Sequence, residues 1–181
     1  MDLVSKLNKA LKIGSGQSGS NSFRHENEAE ILATAKEILA QSPTGAGLLK
    51  FSVENRIEMH VLKNKQDIGF LPDKSVAYIS CPAGQKMPTL KAVIHLAGAL
   101  RQAEQETEPH LKRPQPSQMP KDRYVQAFIA KDKDILFTQT KVVAELAKVN
   151  GLLEIVDEFA SMGYLSLYQA YQEDTEPQGL Q

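Results

Sequence analysis

The sequence of 181 residues contains a single cysteine and has almost no net charge. Because Cys81 has no second cysteine to pair with, an intrachain disulfide and a cysteine-rich zinc site are excluded. The formal charge of -1 provides no global attraction to nucleic acid or to anionic lipid. We therefore expect a reducing compartment, a cytoplasmic location and no nucleic-acid partner.

Long apolar runs are also missing from the sequence. No run approaches the roughly 18 residues that a membrane-spanning helix needs, so we expect no transmembrane segment. Residues 1–13 are too short and too charged for a secretory signal, but four of their apolar residues would share one helical face: Leu3, Val4, Leu7 and Leu11. The pattern predicts a short amphipathic helix that docks on its own domain, with peripheral membrane contact as the alternative.

Composition divides the rest of the chain into three parts. Residues 14–25 are rich in glycine and serine, which is typical of a flexible linker. They hold no phosphate-binding loop, because Gly14-Ser15-Gly16 has neither a following lysine nor a preceding strand. Residues 26–172 are predicted to form one domain, and the acidic tail 173–181 is predicted to be disordered.

Apolar spacing within residues 26–172 predicts an α+β fold that is mostly helical. Helical spacing runs from Glu26 to Gln41, and alternating apolar residues between 55 and 81 predict a small sheet or meander of two or three strands. A hairpin is expected at Asp73-Lys74. Prolines exclude an ordered helix through 107–121, which indicates a surface loop or flap. Long helices follow, with an interruption expected at 131–134.

The helix that begins near Thr89 is apolar around most of its circumference, and Thr89 is expected to be its N-cap. The remaining polar stripe contains Lys91, His95 and Gln102, with Gly98 beside it. We therefore expect a central buried helix, packed between the small sheet and other helices. His95 is expected at the boundary of this helix, facing solvent or a cavity.

A lone histidine on a helix is more often structural than catalytic. A catalytic zinc site needs three protein ligands, commonly including two histidines at positions i and i+4, and a carboxylate near the bound water. Here Leu96 follows His95, and Ala99 occupies the i+4 position. A relocated site would require histidines from separate segments to converge on His95: His25, His60 and His110.

Two other groups of residues receive structural interpretations. Cys81 stands at a strand end before Pro82 with no base nearby in sequence, so it is interpreted as a small buried hydrophobe rather than a nucleophile. His110, Lys112 and Arg113 are interpreted as solvated charges, with a site for phosphate or an acidic ligand as the alternative.

Three motifs carry a family resemblance: the octapeptide beginning Ser42-Pro43-Thr44-Gly45, the pair Thr89-Leu90, and the octet from His95 to Gln102. Together they resemble a bacterial family of proposed zinc metallopeptidases that is classed as a domain of unknown function. In that family the helix typically reads His-Glu-Leu-Arg-His-Ala-x-Gln. His95 matches the first zinc histidine and Gln102 the final glutamine, whereas Leu96 replaces the catalytic glutamate and Ala99 the second histidine.

The resemblance covers residues 28 to 150 and implies a zincin-like scaffold. It continues through 123–128 into 138–146, where relatives place a helix with an acidic residue suited to be the third zinc ligand. The nearest acidic residues in this chain are Asp132 and Asp134. Because two of the three essential positions are replaced, the resemblance implies a degenerate member in which His95 is the remnant of a site.

These observations predict a non-catalytic, metallopeptidase-like protein, a pseudoenzyme, that binds an unidentified protein or peptide partner. No catalytic residue, metal ligand or cofactor is assigned. One alternative is an active hydrolase with a relocated zinc site that uses His95. The other is an unrelated small helical interaction module.

Overall fold

The computed structural model describes residues 22–63, 67–81, 87–109, 111–112, 117 and 119–175, with side chains from residue 28 onward. The predicted helix at 1–13 lies outside the described residues. Six α-helices and three β-strands occur in the described part: α1 (Ser22–Leu39), α2 (Pro43–Glu54), β1 (Glu58–Leu62), β2 (Ile68–Leu71), β3 (Val76–Ser80), α3 (Thr89–Thr107), α4 (Lys121–Asn150), α5 (Glu154–Ser161) and α6 (Leu165–Thr175).

The first two helices meet at Ser42. Helix α1 begins at Ser22, before the expected start, and so includes the end of the segment 14–25 that was predicted to be a linker. Beyond α1, the Ser42 hydroxyl accepts a hydrogen bond from the Gly45 amide at 2.9 Å and caps α2. Pro43 fits the first turn because its missing N–H would have no partner there. The Ser-Pro-Thr-Gly sequence therefore separates the two helices and starts the second.

The sheet has the strand order β1-β3-β2, with β1 parallel and β2 antiparallel to β3. The expected α+β class is confirmed, and the small sheet that was expected to have two or three strands has three. The hairpin between β2 and β3 is also confirmed, and Ser75 adopts a left-handed backbone with φ 52° to close it. A meander is wrong, however, because β3 separates the sequential strands β1 and β2.

Helix α3 is the centre of the fold. It packs against α1, α2, α4 and α5 and against strands β2 and β3. This confirms the predicted buried helix beside a small sheet. The N-cap prediction was wrong: Thr89 is the first helical residue, Pro88 precedes it, and no side chain caps the end.

Helix α4 runs for 30 residues without a break, so the interruption expected at 131–134 is wrong. That segment contains charged residues but neither glycine nor proline, and Lys131 and Asp134 find tertiary partners instead of ending the helix. Gly151 ends α4 in the left-handed conformation, with φ 63°.

The last two helices complete the core and replace part of the predicted tail. Helix α5 buries Ile155 and Phe159 in the cluster that also contains residues of α1 and α3. Helix α6 continues through Thr175, so the tail predicted at 173–181 begins as helix, and residues 176–181 lie outside the described part. None of the helices in the described part is long and apolar enough to cross a membrane.

Candidate functional site

The polar face of α3 lies where β2 and α4 approach the helix most closely. At Gly98, an added Cβ would come within 2.5 Å of Nε2 of Gln139 on α4 and within 2.8 Å of Cδ1 of Ile68 on β2. A side chain at this position would require the ends of both neighbouring side chains to shift. His95 is on the same face, one turn earlier along α3.

The His95 side chain is buried rather than at a boundary. Its residue is 3% exposed, and Nδ1 has no hydrogen-bond partner among the described residues. Burial and, as a smaller effect, the nearby Lys91 charge lower the pKa of the imidazole to about 4, while Asp67 acts in the opposite direction. The expectation of an imidazole that faces solvent is therefore wrong, and His95 is neutral at pH 7.

The two positions where the resemblance would place the acid/base and the second ligand belong to the hydrophobic core. Leu96 is 1% exposed and Ala99 is fully buried. Neither side chain can bind a metal or transfer a proton. The donor set around His95 therefore does not fit a zinc ion, and no chemical step can be derived through one.

The other histidines are not brought to His95 by any described contact. His60 is exposed on β1, the edge strand opposite β2, and its Nε2 lies 3.0 Å from a carboxylate oxygen of Glu58. The side chain of His25 and all of His110 lie outside the described residues. Within the described part, no group of three or more His, Cys, Asp or Glu side chains could hold a metal ion.

The acidic residues suggested as third-ligand candidates lie elsewhere. Asp134 accepts hydrogen bonds from Arg101 Nε at 2.7 Å and from Gln105 Nε2 at 2.5 Å. Although burial opposes ionisation, these bonds hold the pKa of Asp134 below its usual value. Because Arg101 follows His95 by six residues, Asp134 is level with a point about 9 Å further along α3. Asp132 is exposed.

A buried polar cluster joins α3 to α4 around Asp134. Gln105 is fully buried and also donates to the Lys131 carbonyl at 3.1 Å, while its Oε1 has no partner among the described residues. Arg101 forms a second ion pair with Glu104, and the Lys131 ammonium donates to the Leu111 carbonyl. The cluster fixes how the two helices are aligned.

The sequence interpretation did not include two polar residues at this part of α3: Gln139, which contacts Ile94, and Asp67, whose charge acts on His95. Gln139 is buried, and its Nε2 donates to the Ile94 carbonyl at 3.0 Å. It is a polar residue four positions from the buried residues Ile135 and Val143. That polar residue on an apolar helical face was the available signal. Asp67 gave no such signal in the sequence, because it lies in the connection that precedes a strand.

A second buried contact joins the start of α2 to α4. The Glu145 carboxylate accepts hydrogen bonds from Ser42 Oγ at 2.5 Å, from the Thr44 amide at 2.8 Å and from Thr44 Oγ1 at 2.7 Å. Ser42 is fully buried. The motif that contributed to the family resemblance thus has a structural role in this chain.

Cys81 and the basic cluster were given structural interpretations from the sequence. Cys81 is half-buried, and burial, followed by the Glu28 charge, raises the pKa of its thiol. The protonated form is therefore favoured, which agrees with a structural role. Of the cluster His110, Lys112 and Arg113, only Lys112 lies within the described residues.

Comparison with known proteins adds no family to this picture. No family model, curated protein or solved structure matches the chain. A proposal of function therefore depends on the residues around His95 and on the surfaces beside them.

Proposed function

We propose that this chain is a non-catalytic protein on a metallopeptidase-like, zincin-like scaffold, and that it binds an extended peptide segment of a protein partner. The observation that carries the proposal is the position of His95. It is a buried residue of α3, one turn before Gly98, where β2 and α4 meet the helix, while Leu96 and Ala99 beside it are core residues. The place that would hold a metal is filled by packing.

The outer side of β2 supports binding of an extended peptide. None of the other described strands pairs with this side. The Ser80 amide donates to the Asp67 carbonyl at 2.7 Å, so Asp67 is a residue whose backbone groups face β3. From Asp67 onward, every second residue of β2 bonds to β3. The backbone groups of Gly69 and Leu71 consequently point toward β3, and those of Ile68 and Phe70 point away from it. An added strand would pair with Ile68 and Phe70.

The packing of the sheet supports the scaffold. Strands β2 and β3 lie directly against α3, which agrees with a zincin-like arrangement of a small sheet beside a central helix. At Gly69 of this edge strand, the Tyr78 ring occupies the space that a side chain would fill. The edge thereby has one face filled by Tyr78 and the other packed on α3.

Zinc content and peptidase activity test the non-catalytic part of the proposal. We expect purified full-length protein, incubated with zinc and then desalted, to retain well under one zinc per chain and to leave a mixed peptide library uncleaved. One zinc per chain together with zinc-dependent cleavage would contradict the proposal. If His95→Ala also folded but lost that cleavage, the site would be a relocated hydrolase centre.

Peptide selection tests the binding part. Peptides selected from a random display library would be added to the protein, and amide hydrogen exchange would be followed along the chain. We expect slower exchange at Ile68 and Phe70 and no change at the opposite edge strand β1, which is the internal control. The proposal fails if no peptide is selected above background or if the protected amides lie outside β2 and its neighbours.

A further inference from the structure

The two faces of β2 differ in chemistry along the outer edge of the strand. Ile68 and Phe70, whose backbone groups point outward, are half-buried and pack their side chains against the hydrophobic core. Gly69 lies on the opposite face of the sheet, with Tyr78 of β3 directly opposite it. A strand added at this edge would therefore meet an apolar surface on one of its two faces.

An antiparallel strand makes the best use of the outward backbone groups. Ile68 and Phe70 form no backbone hydrogen bond outside the sheet within the part of the chain that the structure describes. In an antiparallel ladder each of them would donate one hydrogen bond to the residue directly opposite and accept one from it. Parallel pairing is slightly less stable per residue. We therefore expect the added strand to run opposite to β2.

The residues opposite Ile68 and Phe70 would lie on the core side of the sheet. Directly opposed residues have Cβ atoms about 4.5–5.5 Å apart, so their side chains would contact Ile68 and Phe70. Ile68 also extends this apolar face toward α3, because its Cδ1 lies 2.8 Å from the place of a Cβ at Gly98. Apolar side chains fit both positions, and the residue between them points to the other face.

Charge distinguishes the two ends of β2. Asp67 immediately precedes the strand and is exposed, and none of the ion pairs among the described residues includes it. At the other end β2 stops at Leu71, and the turn that follows contains Asp73 and Lys74, whose charges cancel. A cation on an added strand is therefore favoured at the Asp67 end.

We propose that the outer edge of β2 selects an antiparallel segment whose sequence, from its N-terminus, is apolar, any residue, apolar, basic. The apolar residues lie opposite Phe70 and Ile68, in that order, and the basic residue lies opposite Asp67. This inference rests on the proposed function and specifies the chemistry of the partner. Backbone pairing supplies the affinity, while the apolar alternation and the single charge supply the selectivity.

Defined peptides test the pattern. A labelled, capped peptide that contains Val-Ser-Val-Lys would be titrated with the full-length chain and followed by fluorescence anisotropy. We expect it to bind about fivefold more tightly than the same residues in the order Val-Val-Ser-Lys, which cannot place both valines on one face. It should also bind severalfold more tightly than Lys-Val-Ser-Val, which carries its charge to the Leu71 end in an antiparallel strand.

Charge reversal tests the basic position from the side of the protein. In Asp67→Lys the preference should reverse, so that Val-Ser-Val-Glu binds more tightly than Val-Ser-Val-Lys. Asp73→Lys is the matched control, because it makes the same change at an exposed aspartate in the turn beyond β2. This variant should keep the preference of the parent chain for lysine. Circular dichroism melts would verify that both variants fold.

Amide hydrogen exchange separates this inference from the function on which it rests. If neither Val-Ser-Val-Lys nor any selected peptide protects the amides of Ile68 and Phe70, the proposed function itself fails. The pattern alone is overturned if peptides protect these amides but the order of the valines has no effect. Tighter binding of Lys-Val-Ser-Val, or equal behaviour of Asp67→Lys and Asp73→Lys, would overturn it as well.

Discussion

His95 couples protonation to folding because its imidazole is buried without a partner for Nδ1 among the described residues. The native state favours the neutral ring, with a pKa of about 4, while an unfolded chain exposes it with the ordinary value of 6.5. Between these two values the unfolded state binds the proton and the native state does not. Stability is therefore greatest above the ordinary pKa and falls as the pH decreases through this window.

We predict that the free energy of unfolding, measured in urea, decreases between pH 7 and pH 4.5 by about 2–3 kcal/mol more in the parent chain than in His95→Leu. The leucine variant fills the same buried position without a titratable group. His60→Gln is the control, because the His60 side chain is half exposed, and it should retain the parent pH dependence. Equal losses in the parent chain and His95→Leu would show that carboxylates alone cause the acid sensitivity.

At the scale of elements, the start of α2 depends on a carboxylate from another helix. Glu145 on α4 binds the Ser42 hydroxyl and both the amide and the hydroxyl of Thr44. A negative charge at this end also complements the helix dipole of α2. The contact joins residues that are 103 and 101 positions apart, so it forms only when the helices have assembled.

Glu145→Ala should lower the free energy of unfolding by about 2–3 kcal/mol, because it removes three hydrogen bonds and leaves the buried Ser42 hydroxyl with one partner fewer. Glu145→Gln keeps an acceptor oxygen and should lose about half as much. Glu54→Ala is the matched control, since Glu54 forms an exposed pair with Lys50, and its effect should stay within about 0.5 kcal/mol. Urea denaturation of the four proteins at pH 7 decides the comparison, and equal effects of Glu145→Ala and Glu54→Ala would contradict the prediction.

At the scale of the whole molecule, one hydrophobic cluster links both ends of the described chain. Leu39 from α1, Ile79 from β3 and Phe159 from α5 all belong to it, and each is fully buried. Elements that share one core lose their packing together. The helices and the sheet are therefore expected to unfold in one cooperative transition.

Phe159→Ala should lower the free energy of unfolding by about 3–5 kcal/mol. The midpoint of the unfolding transition should shift by the same amount whether it is followed by far-ultraviolet circular dichroism or by tyrosine fluorescence. The physical reason is the cavity left in the common core beside Tyr164, whose ring centroid lies 5.2 Å away. Phe137→Ala is the control, since Phe137 is 56% exposed, and it should cost about 1 kcal/mol or less. Separate midpoints for the two probes would contradict a single cooperative unit.

The sequence by itself predicted the mostly helical α+β class, a small sheet of two or three strands, the hairpin and the central position of α3, because apolar periodicity records which face of each element is buried. Local signals failed where partners are distant in sequence. Charges at 131–134 predicted a break in α4, but Arg101 and Gln105 hold Asp134 within a continuous helix. Strand order also depends on pairing between separate segments, so the position of β3 between β1 and β2 could not be predicted from spacing.

That Leu96 and Ala99 can neither bind a metal nor transfer a proton could be read from the sequence alone. The environment of His95 was decided only by the tertiary structure. Helical spacing placed it on a narrow polar stripe, but β2 and α4 close over that stripe at Gly98 and remove the imidazole from water. Burial is a property of the neighbours that pack on a residue, and these neighbours come from segments far apart in the chain.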